Sequence, residues 1–180
     1  MSEKIDLKDL VRTIPDFPKP GIQFRDITSL IANGPGLAAA IEEMRKQAWL
    51  DMPFDAVAGI EARGFVFGAA LAIEMGVGFI PIRKPGKLPG ATIAESYELE
   101  YGTDTLEIHE GAVLPGQKIL LVDDLIATGG TAEAAYKLLT RMEAKVPLAV
   151  FVIDLPDLGG ANRLKSLGLK VSSLMAFEGD

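Results

Sequence analysis

Apolar positions along the chain change period several times, and each change marks an element. Leu7, Leu10, Val11 and Ile14 fall at helical spacing, and residues 15–21, a run dense in Pro and Gly, then impose a loop. A short helix feeding an extended segment is predicted there. Beyond Asn33-Gly34-Pro35-Gly36, the residues Leu37, Ile41, Met44 and Ala48 form one helical stripe. Residues 56–60 read as a buried strand, Glu61-Ala62-Arg63-Gly64 as a tight loop, residues 65–75 as a helix and residues 79–82 as the next strand. Residues 83–95 are basic and rich in Pro and Gly, so their backbone is predicted to be irregular. Tyr97, Leu99 and Tyr101 then alternate with Glu98 and Glu100. Leu106 and Ile108 alternate likewise beyond Gly102-Thr103-Asp104, which predicts a hairpin with one wet face. Residues 119–122 are a continuous apolar strand, and Ala132, Ala135, Tyr136, Leu139 and Met142 give the helix after it. A strand at 148–153, a short helix at 162–167 and a last strand at 170–174 complete the pattern.

Unbroken apolar strands alternating with helices predict an α/β fold: a doubly wound, mostly parallel central sheet with helices on both faces, plus the hairpin. No repeat, low-complexity segment or linker interrupts the sequence, which therefore reads as a single domain over residues 1–180. In such sheets ligands bind beyond the carboxyl ends of the strands. The loops at Glu61, Arg83 and Asp123 all follow strands in that sense, so they are expected to share one crevice.

Composition narrows the chemistry. With 180 residues and 48% hydrophobic content the chain can bury a real core. Cysteine is absent and His109 is the single histidine, which removes disulfides, thiolate nucleophiles and multi-histidine metal sites. Carboxylates, cations and backbone remain. The 25 acidic and 18 basic side chains give a net charge of −7, which disfavours nucleic acid or an anionic membrane as a partner. Apolar runs break before the roughly 18 residues of a bilayer span, and Met1-Ser2-Glu3-Lys4 has no signal-peptide character, so a cytoplasmic location is expected. Against this acidic background the cluster Arg83, Lys84 and Lys87 stands out. Its intervening Pro85, Gly86, Pro89 and Gly90 suit either a mobile lid over a polyanion or a solvated basic loop.

Residues 119–131 carry the most specific signal. The strand leads to Asp123-Asp124, then Leu125-Ile126, then Ala127-Thr128-Gly129-Gly130-Thr131 running into a helix. Small residues let consecutive amides and the threonine hydroxyls surround a phosphate at the positive helix N-terminus. The two carboxylates suit a sugar diol, and their charge favours a cationic, oxocarbenium-like transition state. A Walker B strand is the rival reading, but no Gly-x4-Gly-Lys-Ser/Thr partner occurs. Residues 34–39 imitate a dinucleotide fingerprint, although Pro35 has no N–H to give and fits a helix start better. A capping role for Asp123-Asp124 is the bland alternative. Glu61-Ala62-Arg63-Gly64 is either a structural turn or a pyrophosphate loop. Glu100, opposite in direction to Leu99 and Tyr101, faces either solvent or a site.

The stretch 119–131 resembles the phosphoribosyl pyrophosphate signature of the type I phosphoribosyltransferases. The blocks Phe17-Pro18-x-Pro20-Gly21 with Phe24-Arg25-Asp26-Ile27, Arg63-Gly64-Phe65, Ile82-Arg83-Lys84 with Gly86-Lys87-Leu88-Pro89-Gly90, and Leu99-Glu100-Tyr101-Gly102 are similar to its adenine-using branch. The resemblance covers most of residues 15–145. It implies the type I fold, with a flexible lid and residues 1–30 contributing a base-binding hood. It also implies transfer of the phosphoribosyl group to adenine, giving AMP and pyrophosphate in purine salvage. Magnesium would be held through pyrophosphate and water rather than by a protein cage. Asp123, Asp124, Ala127, Thr128, Gly129, Gly130 and Thr131 would then take the 5′-phosphate and ribose. Ala62, Arg63, Arg83, Lys84 and Lys87 would hold the pyrophosphate, with Arg83 able to reach a neighbouring subunit's site in a homodimer. In the base pocket Phe24 would stack on adenine, backbone near Gln23 and Arg25 would read its edge, and Tyr101 would pack beside it. Glu100 would handle the proton on the purine ring and, with Asp123, Asp124 and Arg83, make up the catalytic set. Two other readings remain: a transferase for a different nucleobase, and a non-enzymatic sensor of the same donor.

Overall fold

In a computed structural model, residues 5–51, 53–99 and 102–179 are described. A 3-10 turn (Lys8–Leu10) precedes β1 (Arg12–Pro15) and β2 (Gln23–Asp26), which are followed by α1 (Thr28–Ala32) and α2 (Gly34–Trp49). Then come β3 (Ala56–Ile60), α3 (Arg63–Met75), β4 (Gly78–Ile82), β5 (Thr92–Glu98) and β6 (Thr103–His109). The chain continues through β7 (Lys118–Ile126), α4 (Gly130–Arg141), β8 (Lys145–Asp154), α5 (Gly160–Ser166) and β9 (Lys170–Ala176).

The continuous apolar runs form the middle of the molecule. Among the described residues the central sheet has five strands in the order β4-β3-β7-β8-β9, every neighbouring pair parallel. Successive side chains of one strand point to opposite faces. Ile119 and Leu121 therefore join the core under α4, α5 and the β5–β6 hairpin, while Leu120 and Val122 join the core under α2 and α3. Helices cover both faces, which is why β3 is buried at every position. α2 starts where Asn33 accepts a hydrogen bond from the Gly36 amide at 2.9 Å, with Pro35 in the first turn. α3 stops at Gly76, whose φ of 67° is costly for any residue with a β-carbon. Among the described residues no helix is long and apolar enough to cross a membrane.

Three elements depart from their sequence reading. The helical spacing that begins at Leu7 lasts one 3-10 turn, and Ile14 lies instead in β1, paired with Phe24 of β2 in an antiparallel ribbon. β1 is exposed along its whole length, so it carries no alternation to announce it. β5 begins at Thr92, inside the segment expected to be irregular, because Thr92 to Glu98 pair residue by residue with His109 to Thr103. β7 does not end at Val122. It carries the acid pair inside the strand, since Leu125 and Ile126 still pair with Ile153 and Asp154 of β8.

Candidate active site

The end of β7 turns directly into the glycine loop. Gly129, at φ 82°, sets the N-terminus of α4, and the loop behind it is pressed against the first residue of α5. The Gly160 amide donates to the Ala127 carbonyl at 3.0 Å. A β-carbon on Gly129 would lie 2.9 Å from the Gly160 Cα, and one on Gly160 would lie 2.7 Å from the Gly129 nitrogen and run into the Ala127 carbonyl. Only hydrogen fits at either position. Sequence reading saw Gly129 but missed Gly160, whose signal is the Gly159-Gly160 pair opening a helix.

A cavity of 380 Å³ opens over this loop, within the range of small-molecule sites. Its lining brings together Ala62, Arg63, Lys84, Asp123, Asp124, Ala127, Thr128, Gly129, Gly130 and Thr131 from the candidate residues, and adds Glu61, Tyr97, Leu125, Ile126 and Ala132. The loops after β3, β4 and β7 do meet there. Arg83, Lys87, Gln23, Phe24 and Arg25 are not in that lining. Glu100 and Tyr101 lie outside the described residues.

The two acids differ. Asp124 accepts a hydrogen bond from Arg63 Nε at 2.5 Å, a charged pair at the cavity floor. Asp123 is buried beside it, its Oδ1 accepting from the Asp124 amide at 2.9 Å. A β-carbon on Gly64 would come 2.6 Å from that same oxygen, so the start of α3 packs directly on the carboxyl. Burial pushes the Asp123 carboxyl well above the usual carboxylate range, and the neighbouring charge of Asp124 adds to the shift.

From the basic segment, Lys84 reaches the cavity lining. Glu61 accepts from Arg83 Nε at 2.9 Å and from the Lys84 amide at 2.7 Å, and Arg83 Nη1 donates to the Lys87 carbonyl at 3.1 Å. Arg83 is thus tied to the lining residue Glu61 without itself lining the cavity. Residues 83–90 are irregular, as their Pro and Gly content requires, and are strapped to β6. Arg83 and Glu107 exchange backbone hydrogen bonds of 2.9 and 2.7 Å, and the Gly86 amide donates to Glu107 Oε2 at 3.1 Å. Lys84 points inward, paired with Asp104 and donating to the Tyr97 hydroxyl at 3.2 Å. Burial pulls its ammonium down, but the hydrogen bonds to Asp104 and Tyr97 outweigh it, so Lys84 remains a firm cation. The Lys84 contact in turn holds the Asp104 carboxyl below its usual range. Tyr97 and Asp104 face each other in register across the hairpin, and sequence reading took them only as strand and turn residues.

The hood strand β2 carries Phe24, whose ring meets Phe17 edge to face at 5.1 Å. Gln23 is paired with Pro15 at the end of the ribbon that the connecting loop closes. The Arg25 side chain bridges the ribbon to the end of the chain, its Nη1 donating to Thr13 Oγ1 on β1 at 2.6 Å and its Nη2 to the Gly179 carbonyl at 3.0 Å.

A parallel α/β sheet with a glycine loop, an adjacent acid pair and a cationic wall at its carboxyl end defines a phosphoribosyl-transferring domain. The family described as phosphoribosyl transferase domain matches residues 28–168. More specific relatives extend the match to nearly the whole chain. Adenine phosphoribosyltransferase from Erythrobacter litoralis is 63% identical over 174 residues, which is 97% of each chain. That from Maricaulis maris is 58% identical, over 97% of this chain and 99% of its own. Among solved structures, the adenine phosphoribosyltransferase of Thermoanaerobacter pseudethanolicus superposes with a TM-score of 0.89 at 48% identity, covering 95% of this chain and 98% of that one. The Saccharomyces cerevisiae enzyme, complexed with adenine and an imino-altritol bisphosphate, has a TM-score of 0.87 at 38% identity, covering 94% and 96%. The chain belongs to the adenine phosphoribosyltransferase family.

Proposed function

We propose that the protein moves the phosphoribosyl group of 5-phosphoribosyl 1-pyrophosphate onto N9 of adenine, releasing AMP and pyrophosphate in purine salvage. The observation that carries this is the braced glycine loop at the α4 N-terminus beside the Asp124–Arg63 pair. The 5′-phosphate takes the amides of residues 127–131 with the hydroxyls of Thr128 and Thr131, where the helix dipole favours an anion. The ribose hydroxyls donate to Asp123 and Asp124, whose negative charge stabilises the sugar cation as the C1′–O bond breaks. The amide after Glu61-Ala62, Arg63 and Lys84 hold the departing pyrophosphate.

Among the described residues no cluster of His, Asp and Glu makes a metal cage. The hard carboxylate oxygens of Asp123 and Asp124 in the cavity fit a hydrated magnesium carried by the pyrophosphate. When bound, the ion spreads the charge of the leaving group. The base enters beneath β2, where Phe24 stacks on the ring and the backbone of Gln23 and Arg25 reads its edge. Pocket carbonyls accepting from the exocyclic amino group select adenine over oxopurines. Glu100 handles the purine proton and Tyr101 packs beside it. The whole chain works as one domain with residues 1–30 as hood, in a cytoplasmic homodimer. Val66 and Ile73, exposed on α3 at 36% and 80%, support an apolar subunit contact. Arg83, outside the lining of its own cavity, serves the neighbouring subunit in that assembly, and Lys87 joins the pyrophosphate set.

The purified protein is to be incubated with the donor, magnesium and each nucleobase in turn. AMP from adenine is the expected product. Another nucleotide in its place would reassign the base, and donor binding without turnover with any base would favour the sensor.

A further inference from the structure

The residues after β9 are built into the hood. The Phe177 amide donates to the Asp154 carbonyl at 3.0 Å, and its ring lies 4.7 Å from the Arg25 guanidinium and 4.7 Å from the Lys8 ammonium. Arg25 Nη2 donates to the carbonyls of Glu178 at 3.4 Å and Gly179 at 3.0 Å. The Gly179 amide donates to Asp157 Oδ2 at 2.8 Å. Asp157 stands in the turn just before Gly159-Gly160, the pair that braces the phosphate loop. Arg25 Nε is buried with no hydrogen-bond partner, a cost accepted because the rest of the guanidinium is fixed by these contacts.

Such an anchor is needed. β1 and β2 form a two-stranded sheet apart from the central one, and β1 has no buried face. An isolated ribbon of that kind has little orientation of its own. The general family match, residues 28–168, contains neither the ribbon nor the tail that grips it.

We infer that residues 177–179 are a positioning clasp for the base pocket. By fixing the Arg25 side chain they hold the β2 backbone and the Phe24 ring in the orientation that receives the base. The inference rests on the proposed role of β2 in binding adenine. Arg25 holds the site through its side chain and reads the base through its backbone, so loosening the tail weakens base binding and leaves the donor side alone.

The test is steady-state kinetics on the full chain, with KM for adenine and for the donor measured separately. Phe177→Ala is expected to raise the adenine KM about tenfold and Asp157→Ala about threefold, with kcat and donor KM changed less than about twofold. Phe177→Tyr, which keeps the aromatic face, is expected to stay within about twofold of the parent on both. Unchanged adenine KM in both alanine variants overturns the clasp. So does an equal rise in both KM values, the mark of general loosening. Should Phe177→Ala fail to fold, Asp157→Ala decides, because Asp157 is exposed. If the parent protein uses another base in place of adenine, the proposed function fails and the clasp is read from the KM of that base.

Discussion

The glycine loop between β7 and α4, proposed to hold the phosphate, is fixed by backbone packed on backbone, whereas β2, proposed to form the base-binding hood, is fixed by side chains reaching over open surface. On the donor side Gly129 and Gly160 meet with no room for a β-carbon, and the strand that delivers the loop is buried between two cores. On the base side Asp26 accepts from Arg12 at 2.8 Å and from the Thr28 hydroxyl at 2.6 Å, and Arg25 reaches the tail. Main-chain packing admits one geometry and fails abruptly. Polar side-chain ties fail by degrees, each worth about one hydrogen bond. Damage to the donor side should therefore be steep and specific to kcat or donor KM, and damage to the base side graded.

The largest effect is expected from Asp124→Asn, which removes the floor charge and leaves Arg63 without its partner. A fall in kcat of about a hundredfold or more should accompany a retained fold by circular dichroism. A normal kcat would take the acid pair out of the chemistry. Next comes Gly160→Ala. Its β-carbon must displace the Ala127 carbonyl, so donor KM should rise about thirtyfold while adenine KM hardly moves. If both constants rise together, the two sides are not independently held. Thr131→Val removes a single hydroxyl from the loop and should raise donor KM about fivefold; an unchanged value would put the phosphate elsewhere.

The smallest effect lies in the hood. Hydrogen bonds from the Thr28 hydroxyl and Arg12, with the Thr28 amide, lower the Asp26 carboxyl from 3.8 to about 2. The folded state thus favours the carboxylate. Its contribution to stability is whole above 3.8 and is lost as pH falls through about 2. Thermal unfolding of the parent and of Asp26→Asn should differ above that window and converge within it. A gap that persists at the acid end would mean that Asp26 acts by packing, and the hood would then resemble the donor side more than is argued above.

Legibility in the sequence follows the same division. The central strands are unbroken apolar runs, and the donor loop is contiguous from the acid pair through Thr131, so both are written locally. β1 was not legible as a strand, because a strand exposed at every position shows no alternation of burial. The acid pair was placed after its strand because charge usually ends burial, yet Leu125 and Ile126 carry the pairing past it. Lys84, Tyr97 and Asp104 converge only once the hairpin folds over α4. The clasp joins Arg25 to carbonyls 153 and 154 positions away. No local pattern encodes a contact of that span.

Lys84 reaches the cavity with its charge already paired with the Asp104 carboxylate and a hydrogen bond already given to the Tyr97 hydroxyl. A polyanion arriving there does not meet a bare ammonium; it exchanges one counter-charge for another. The gain is the difference between two ion pairs, and the Lys84 side chain, still 38% exposed, has water left to give up when a ligand enters.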